Sequence, residues 1–186
     1  MPAASVTVRV AFKLAELTWN NPFIDVEQGQ WYYSAVSYAS QAGLFSGTSP
    51  NTFTPNAPMT RAMLWTVLAR QAGQDVSGGA SWYEKAQAWA IETSVSDGTN
   101  PTGEITREQL VTMLWRQAGS PVLMDYPGLT IFDDVGDIAP YAQDSMAWAH
   151  QKGLVKGSGN QLMPKQSAIR AQVAAIMMRY CENIAK

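Results

Sequence analysis

The sequence predicts an all-α fold built from three helix–loop–helix repeats, with one β-strand ahead of them. The first observation is that an Arg opens an apolar helical pattern three times, with a second Arg nine residues later in every copy. The second is that apolar residues behind each first Arg recur at the spacing of one helix face. Recurrence of this kind is typical of repeat proteins, in which neighbouring units share one core. The three segments span residues 59–70, 105–116 and 168–179.

An alternating segment precedes the repeats. Between residues 5 and 14, apolar side chains alternate with polar or small ones, which predicts a β-strand with one buried face. A single strand needs a sheet to join. We therefore interpret residues 1–22 as the last strand and linker of an upstream domain, with Asn20-Asn21-Pro22 marking the boundary.

The first repeat is predicted to span residues 23–73. It begins with Phe23-Ile24-Asp25-Val26 and continues as an aromatic-led helix from Trp31 that ends near Gly43. A loop rich in Gly, Ser and Pro then leads to the helix that starts at Arg61. The pattern predicts two helices joined by a long loop.

The second and third repeats are predicted to span residues 74–120 and 121–186. Both return to an aromatic-led helix, a Gly-containing loop and an Arg-led helix. The loop of the second repeat, from Ser94 to Arg107, is shorter than the loops of the other two. We predict helix hairpins that share a core, with the loops gathered on one side.

Composition excludes several classes of protein. A formal charge of −2 argues against nucleic acid as a partner. No apolar run approaches the ~18–20 residues of a membrane-spanning helix, so membrane insertion is not predicted. One Cys and one His exclude an internal disulfide, a cysteine metal cluster and a multi-histidine zinc site. We predict no cofactor and no metal.

The Arg that opens each second helix is unusual for electrostatic reasons. Thr60 and Thr106 are good N-caps, and Thr106 with Gln109 has the sequence of a capping box. The next residue lies in the first turn, where free N–H groups and the helix dipole disfavour a cation. Either each Arg pairs with an Asp of its own repeat, or the Arg and the free N–H groups receive an external anion.

These motifs together resemble the S-layer homology domain. The resemblance covers residues 23 to about 184 and depends on the order Phe-x-Asp-Val, aromatic-led helix, Gly-containing loop and Thr-Arg. It implies a pseudo-threefold spindle with a central helical bundle and grooves between its prongs. The implied function is to anchor an exported bacterial protein, non-covalently, to the cell wall or S-layer through a peptidoglycan-linked secondary cell-wall polysaccharide. That anionic polysaccharide often bears pyruvate ketals, and the upstream domain is then the cargo.

The resemblance also implies a set of ligand-binding residues. A guanidinium suits the planar carboxylate of a pyruvate ketal, so the three Arg residues of the Thr-Arg position are the first choice: Arg61, Arg107 and Arg170. Aromatic residues at the start of each first helix either stack on sugar or pack in the core: Trp31, Trp82 and Tyr141. Glycines of the loops permit either a tight turn or close ligand approach: Gly47, Gly98 and Gly157. The two motif aspartates either brace the fold or contact the sugar: Asp25 and Asp134.

Departures from the family pattern predict unequal grooves. The usual Glu after Thr-Arg-Ala is replaced by Met63, Gln109 and Gln172, and the second repeat lacks Phe-x-Asp-Val. Ile169 stands where Thr caps the other helices, so Ser167 is expected to cap instead. We expect the Arg61 groove to bind best, and Arg61→Ala to weaken binding without changing the melting temperature. The late residues Arg70, Arg116 and Arg179 suit the helix dipole and need no ligand.

Three other functions compete with the anchoring hypothesis. No pair of carboxylates recurs at positions that suggest a general acid and base, so catalysis is not predicted. Residues 97–100 faintly resemble a calcium loop but lack its regular ligands and its terminal Glu. A helical protein–protein or S-layer self-assembly module without glycan binding stays open as the alternative.

Overall fold

The regular secondary structure of the described residues consists of helices, which long loops connect. The computed structural model describes residues 19–123 and 126–185, so the strand predicted at residues 5–14 lies outside the described residues. The six α-helices of that part are α1 Tyr33–Gln41, α2 Arg61–Gln71, α3 Glu84–Glu92, α4 Arg107–Gln117, α5 Gln143–Gln151 and α6 Arg170–Asn183. Short 3-10 helices occupy Pro127–Leu129, Val135–Asp137 and Pro140–Ala142. Within the described ranges there are isolated β-bridges but no extended strand, which confirms the all-α class.

The second helices start as the cap residues predict. Thr60 Oγ1 accepts a hydrogen bond from the N–H of Met63 at 3.3 Å. Thr106 and Gln109 form a complete capping box, in which each side chain accepts from the backbone of the other. Local sequence therefore fixes where α2 and α4 begin.

Helix α6 starts without a side-chain cap. Ile169 has no acceptor to offer, although its own N–H donates to the side chain of Gln172 at 3.3 Å. The expectation that Ser167 replaces the missing Thr is wrong. The Ser167 hydroxyl donates to the Glu104 carboxylate at 2.6 Å and so joins the third Arg-led segment to the second.

The helices pack across the predicted repeats and not within them. We call α1 and α2, with their connecting loop and lead-in residues, unit 1; α3 and α4 form unit 2, and α5 and α6 form unit 3. Helix α2 packs against α3, α4 against α5, and α1 against α6. The predicted hairpins within each repeat are therefore wrong, because the loop inside a unit separates its two helices and fills the space with buried side chains such as Phe53 and Leu162.

A closed ring of backbone hydrogen bonds joins the three segments that lead into α2, α4 and α6. The N–H of Met59 donates to the carbonyl of Ala168 at 3.0 Å. The N–H of Ala168 donates to Ile105 at 2.8 Å, and the N–H of Ile105 donates back to Met59 at 2.8 Å. All three residues are fully buried. Each unit is thus bonded directly to both of the others.

The motif aspartates brace the loops of units 1 and 3. Asp25 accepts from the N–H groups of Phe53 and Thr54 at 2.8 and 2.7 Å. Asp134 makes the same two bonds with residues 162–163, at 2.8 and 2.7 Å. The geometry favours the bracing interpretation, since the carboxylate oxygens of each aspartate already have backbone donors.

Replacing Asp134 with Ala is expected to lower the free energy of unfolding by about 2–4 kcal/mol, because two partly buried N–H groups lose their acceptor. Thermal or urea unfolding followed by circular dichroism measures the loss. The matched control is Asp133→Ala, which removes the neighbouring exposed carboxylate. Equal losses in the two variants would contradict the bracing role.

Candidate functional site

The N–H groups at the starts of the second helices already have partners inside the protein. The N–H of Arg61 donates to the carbonyl of Gly103 at 2.9 Å, and the N–H of Ala62 donates to Pro101 at 3.0 Å. Helices α4 and α6 begin with the same two bonds to the loop of another unit. In α4 the N–H groups of residues 107 and 108 donate to the carbonyls of Gln166 and Pro164, respectively. In α6 the N–H groups of residues 170 and 171 donate to the carbonyls of Ala57 and Pro55. The hypothesis that these N–H groups receive an external anion is therefore wrong.

The three first-turn Arg side chains connect neighbouring units. Arg61, Arg107 and Arg170 are only 8%, 8% and 6% exposed. Each Nε donates to one carbonyl oxygen in the loop of a different unit: Thr99 for Arg61 at 2.8 Å, Leu162 for Arg107 at 2.8 Å, and Phe53 for Arg170 at 2.7 Å. These contacts explain why a cation is present in the first turn. They also contradict the expectation that Arg61→Ala leaves the melting temperature unchanged, because the substitution removes three hydrogen bonds to unit 2. We now expect that variant to lose stability.

The remaining guanidinium N–H groups differ among the three residues. Nη2 of Arg61 donates to the Ser96 hydroxyl at 3.1 Å and to the Asp97 carboxylate at 2.5 Å. Nη2 of Arg170 donates to the carbonyl of Ser46 at 2.8 Å. Arg107 makes no side-chain hydrogen bond beyond its Nε within the described residues. The predicted Arg–Asp pair therefore occurs once, and its aspartate belongs to the next unit.

Burial lowers the pKa of the Arg107 guanidinium, and the nearby Asp134 carboxylate opposes this shift. The same two causes act on Arg170, where Asp25 is the nearby carboxylate. An arginine side chain nevertheless keeps its charge at neutral pH. Two buried guanidinium groups therefore present positive charge without a carboxylate hydrogen-bonded to them.

Three surface grooves lie beside the buried Arg residues, and each draws its lining from all three units. The shared lining is a first-turn Arg, a late Arg, a large aromatic side chain and the start of a loop. Groove 1, of about 430 Å³, contains Arg170, Arg70, Trp82 and residues 44–48. Groove 2, of about 260 Å³, contains Arg61, Arg116, Tyr141 and residues 96–97. Groove 3, of about 360 Å³, contains Arg107, Arg179, Trp31 and residues 154–158.

The aromatic side chains that precede the first helices are exposed at these grooves. Trp31 is 62% exposed, Trp82 57% and Tyr141 51%. The core-packing interpretation is therefore wrong for all three, because each residue is more than half exposed to solvent and none belongs to the buried core. Exposed aromatic faces beside cationic grooves are suited to a ligand that is apolar on one face and polar elsewhere.

Tyr141 differs from the two tryptophans because a buried carboxylate holds its hydroxyl. Tyr141 donates to Glu108 at 3.0 Å, and Glu108 also accepts from Lys165 at 2.7 Å and from the N–H of Ala139 at 3.0 Å. Burial and, next, the bond to Glu108 raise the pKa of Tyr141 to about 12. The aromatic wall of groove 2 is thus fixed in place by a charged side chain.

The loop glycines are required by the loops themselves. A Cβ on Gly157, where φ is +73°, would lie 2.5 Å from the ring of Phe132. A Cβ on Gly47 would clash with the carbonyl of Ser49 and the ring of Phe23. Gly47 and Gly157 also line grooves 1 and 3, whereas Gly98 has φ of +70° and is outside the lining of groove 2. Turn geometry explains all three residues.

The late Arg residues are the groove components that sequence reasoning missed. Each donates from Nη1 to a carbonyl just after a first helix: Arg70 to Leu44 at 3.2 Å, Arg116 to Val95 at 3.3 Å and Arg179 to Leu154 at 2.9 Å. The signal was present, since an Arg nine residues after the first occurs in every copy. A cation near the C-terminus of a helix is favoured by the helix dipole, which was enough to explain these residues without a ligand. The sequence analysis therefore did not assign them to a binding site.

The segment that resembles a calcium loop is a turn held by Arg61. Asp97 accepts from the N–H of Thr99 at 3.0 Å as well as from Arg61. Across residues 19–123 and 126–185, no group of three or more His, Cys, Asp or Glu side chains is arranged to hold a metal ion. No helix in the same ranges is both long enough and apolar enough to cross a membrane.

The Asp97 contacts predict a pH dependence of stability. The pKa of Asp97 is lowered chiefly because the N–H of Thr99 donates to it, and also because Arg61 lies beside it. A lowered folded-state pKa stabilises the protein above the unfolded value of about 3.9 and loses that effect as pH falls through the folded value. The difference in melting temperature between wild type and Asp97→Asn is therefore expected to be largest above about pH 5 and to shrink towards pH 3. A difference that stays constant with pH would contradict this account.

These observations define a helical protein whose three units share one core and form three cationic grooves edged by aromatic residues. Residues 22–62 and 131–174 match the family model of the S-layer homology domain. The two matches cover the Phe-x-Asp-Val segments of units 1 and 3 and extend into α2 and α6. The intervening residues include unit 2, which lacks that motif.

Curated relatives and a solved structure show similarity over most of this chain. An amylopullulanase of Thermoanaerobacterium thermosulfurigenes is 28% identical over 91% of the chain, which corresponds to 10% of that enzyme. The surface-layer 125 kDa protein of Lysinibacillus sphaericus is 28% identical over 81% of the chain and 14% of its own length. The undecaheme cytochrome from the S-layer of Carboxydothermus ferrireducens aligns with 78% of the chain and 20% of its own, at 19% identity and a TM-score of 0.47. The chain thus spans a small part of each of these proteins.

Proposed function

We propose that this chain is a non-covalent anchoring module that binds a peptidoglycan-linked, pyruvylated secondary cell-wall polysaccharide. The observation that supports the proposal most strongly is the same groove lining found three times, with a buried Arg, a late Arg and an exposed aromatic residue. The family match and the surface-layer relative support a location at the bacterial cell surface or S-layer.

The groove lining suits an acidic glycan for two reasons. Guanidinium groups hold carboxylates such as that of a pyruvate ketal through two parallel hydrogen bonds. The exposed rings of Trp31 and Trp82 offer flat apolar surfaces against which the C–H face of a sugar ring packs. A pyruvylated sugar has both features, whereas a neutral glucan lacks the charge.

The three units are proposed to be three S-layer homology repeats, spanning residues 23–73, 74–120 and 121–186, arranged as a spindle about a pseudo-threefold axis. The closed ring of hydrogen bonds through Met59, Ile105 and Ala168 supports this arrangement. In it, α2, α4 and α6 form the central bundle. The relatives are much longer than this chain, which supports a cargo domain elsewhere in the full-length protein.

Co-sedimentation with cell-wall sacculi tests the proposed function. Wild type is expected to pellet with native sacculi and to stay in solution once the secondary polysaccharide has been extracted. Pelleting that is unaffected by extraction would instead support the alternative of a protein–protein or self-assembly module. Release of reducing sugar during the incubation would contradict the sequence-based expectation that the module does not catalyse hydrolysis of the wall glycan.

A further inference from the structure

The three grooves differ in charge at one corresponding position. Five residues after the last residue of each first helix, and directly before the loop Gly, the chain has Ser46 in groove 1, Asp97 in groove 2 and Lys156 in groove 3. All three side chains are exposed and line their grooves. With the two Arg residues common to every groove, groove 3 contains three cations, groove 1 two, and groove 2 two cations with one carboxylate.

The buried Arg residues differ in the same order. Arg61 in groove 2 donates through Nε and twice through Nη2 to protein acceptors. Arg170 in groove 1 donates twice, and Arg107 in groove 3 donates once. A guanidinium has five N–H groups. Of the three first-turn Arg residues, Arg107 therefore has the largest number of side-chain N–H groups without a protein partner among the described residues.

Nearby carboxylates outside the grooves do not change this order. Asp134 acts on Arg107 and Asp25 acts on Arg170, and each is held by two backbone N–H groups of its loop. Neither forms an ion pair with its Arg. In groove 2, by contrast, the Asp97 carboxylate contacts Arg61 directly at 2.5 Å.

We propose that the residue before the loop Gly sets which groove accepts the acidic group of the glycan. Groove 3, with Lys156 and Arg107, is the principal carboxylate site, and groove 1 is a weaker one. In groove 2 the Asp97 carboxylate takes the place of the ligand's carboxylate on Arg61, so this groove accepts only uncharged parts of the glycan. The inference rests on the proposed function and replaces the expectation that the Arg61 groove binds best.

Two serine variants test the assignment, because each gives its groove the residue that groove 1 already has. The probe is a methyl hexopyranoside with a pyruvate ketal, titrated calorimetrically into the whole chain, with its methyl ester as the uncharged comparison. Lys156→Ser is expected to weaken the tightest site by ~10-fold. Asp97→Ser is expected to add a carboxylate-binding site that wild type lacks. Each variant is expected to change the affinity for the ketal more than the affinity for the ester.

Lys152→Ser is the matched control for Lys156→Ser. Lys152 is an exposed cation four residues earlier, at the end of α5 and outside the three grooves. Melting temperatures show whether every variant is folded. The assignment would be overturned if both serine variants bound the ketal as wild type does, or if Lys152→Ser lost as much affinity for the ketal as Lys156→Ser. Either result would leave the anchoring function intact. If wild type bound neither the ketal nor native sacculi, both the assignment and the proposed function would be wrong.

Discussion

Arg170→Ala is expected to lower the free energy of unfolding by about 3–5 kcal/mol, the largest stability change predicted for a single residue here. The substitution leaves two carbonyl oxygens of unit 1, those of Ser46 and Phe53, without their charged donor. It also removes a cation that lies 4.5 Å from the centre of the Phe53 ring and 5.4 Å from that of Phe45. Since Arg170 joins unit 3 to unit 1, its removal is expected to weaken the packing of α6 against α1.

Urea unfolding followed by tryptophan fluorescence measures this effect. Lys152→Ala is the control, because it removes an exposed cation outside the contacts between units. Arg170→Lys keeps the charge but lacks the two directed donors, so it is expected to recover only part of the lost stability. If Arg170→Ala unfolded like wild type, the Arg residues would not brace the units.

Trp31→Ala is expected to reduce affinity for the wall polysaccharide by roughly tenfold, equivalent to about 1.4 kcal/mol, with little change in stability. Trp31 contributes an exposed ring to groove 3, and substitutions at exposed positions usually change stability by no more than about 0.5 kcal/mol. Titration with purified polysaccharide measures the affinity, and thermal unfolding measures the stability. Groove 3 has the most positive charge, so the loss is expected to exceed that caused by Trp82→Ala.

The control for Trp31→Ala is Ile24→Ala. Ile24 is another large, exposed apolar residue of unit 1, and it lies outside the three grooves. Equal losses of affinity in the two variants would show that general surface apolarity, and not the ring in groove 3, determines binding. If Trp31→Ala lost affinity because it unfolded, the result would contradict the prediction that Trp31 contributes to binding and not to stability.

Local features of the fold were predictable from sequence because they depend on neighbouring residues. The Arg-led helices start at Arg61, Arg107 and Arg170, and the capping box at Thr106 forms as its sequence predicts. The motif alone did not show whether Asp25 braces the fold or contacts the sugar. The two backbone N–H groups that donate to its carboxylate favour the bracing role. Patterns within about four residues of each other were therefore sufficient for the starts of the Arg-led helices and for the Thr caps of α2 and α4, but not for α6, where the expected Ser167 cap does not form.

Features that join different units were not predictable. The carbonyl that receives Nε of Arg170 belongs to Phe53, which is 117 residues away in the chain. Helix spacing alone also gives no sign that α1 packs on α6, because a long loop permits more than one partner. The ion pair between Arg61 and Asp97 joins two residues that are 36 positions apart in the chain. The spacing identified the shortened loop of unit 2 without showing what that loop contacts.

The grooves were the least predictable feature, since each combines side chains from all three units. The late residues Arg70, Arg116 and Arg179 had a sufficient local explanation in the helix dipole, and nothing in the sequence placed them beside the aromatic residues. Only the packing of each first helix on the preceding second helix, with α1 returning to α6, brings these parts together.

The central claim is that the acidic wall glycan binds in the grooves between units, and fluorine NMR of the chain labelled with fluorotryptophan tests it most directly. The seven Trp residues give separate signals, which single Trp→Phe variants assign. On addition of purified wall polysaccharide, we predict that the Trp31 and Trp82 signals shift while those of the buried Trp65 and Trp148 do not. Binding that shifted neither the Trp31 nor the Trp82 signal would contradict the claim.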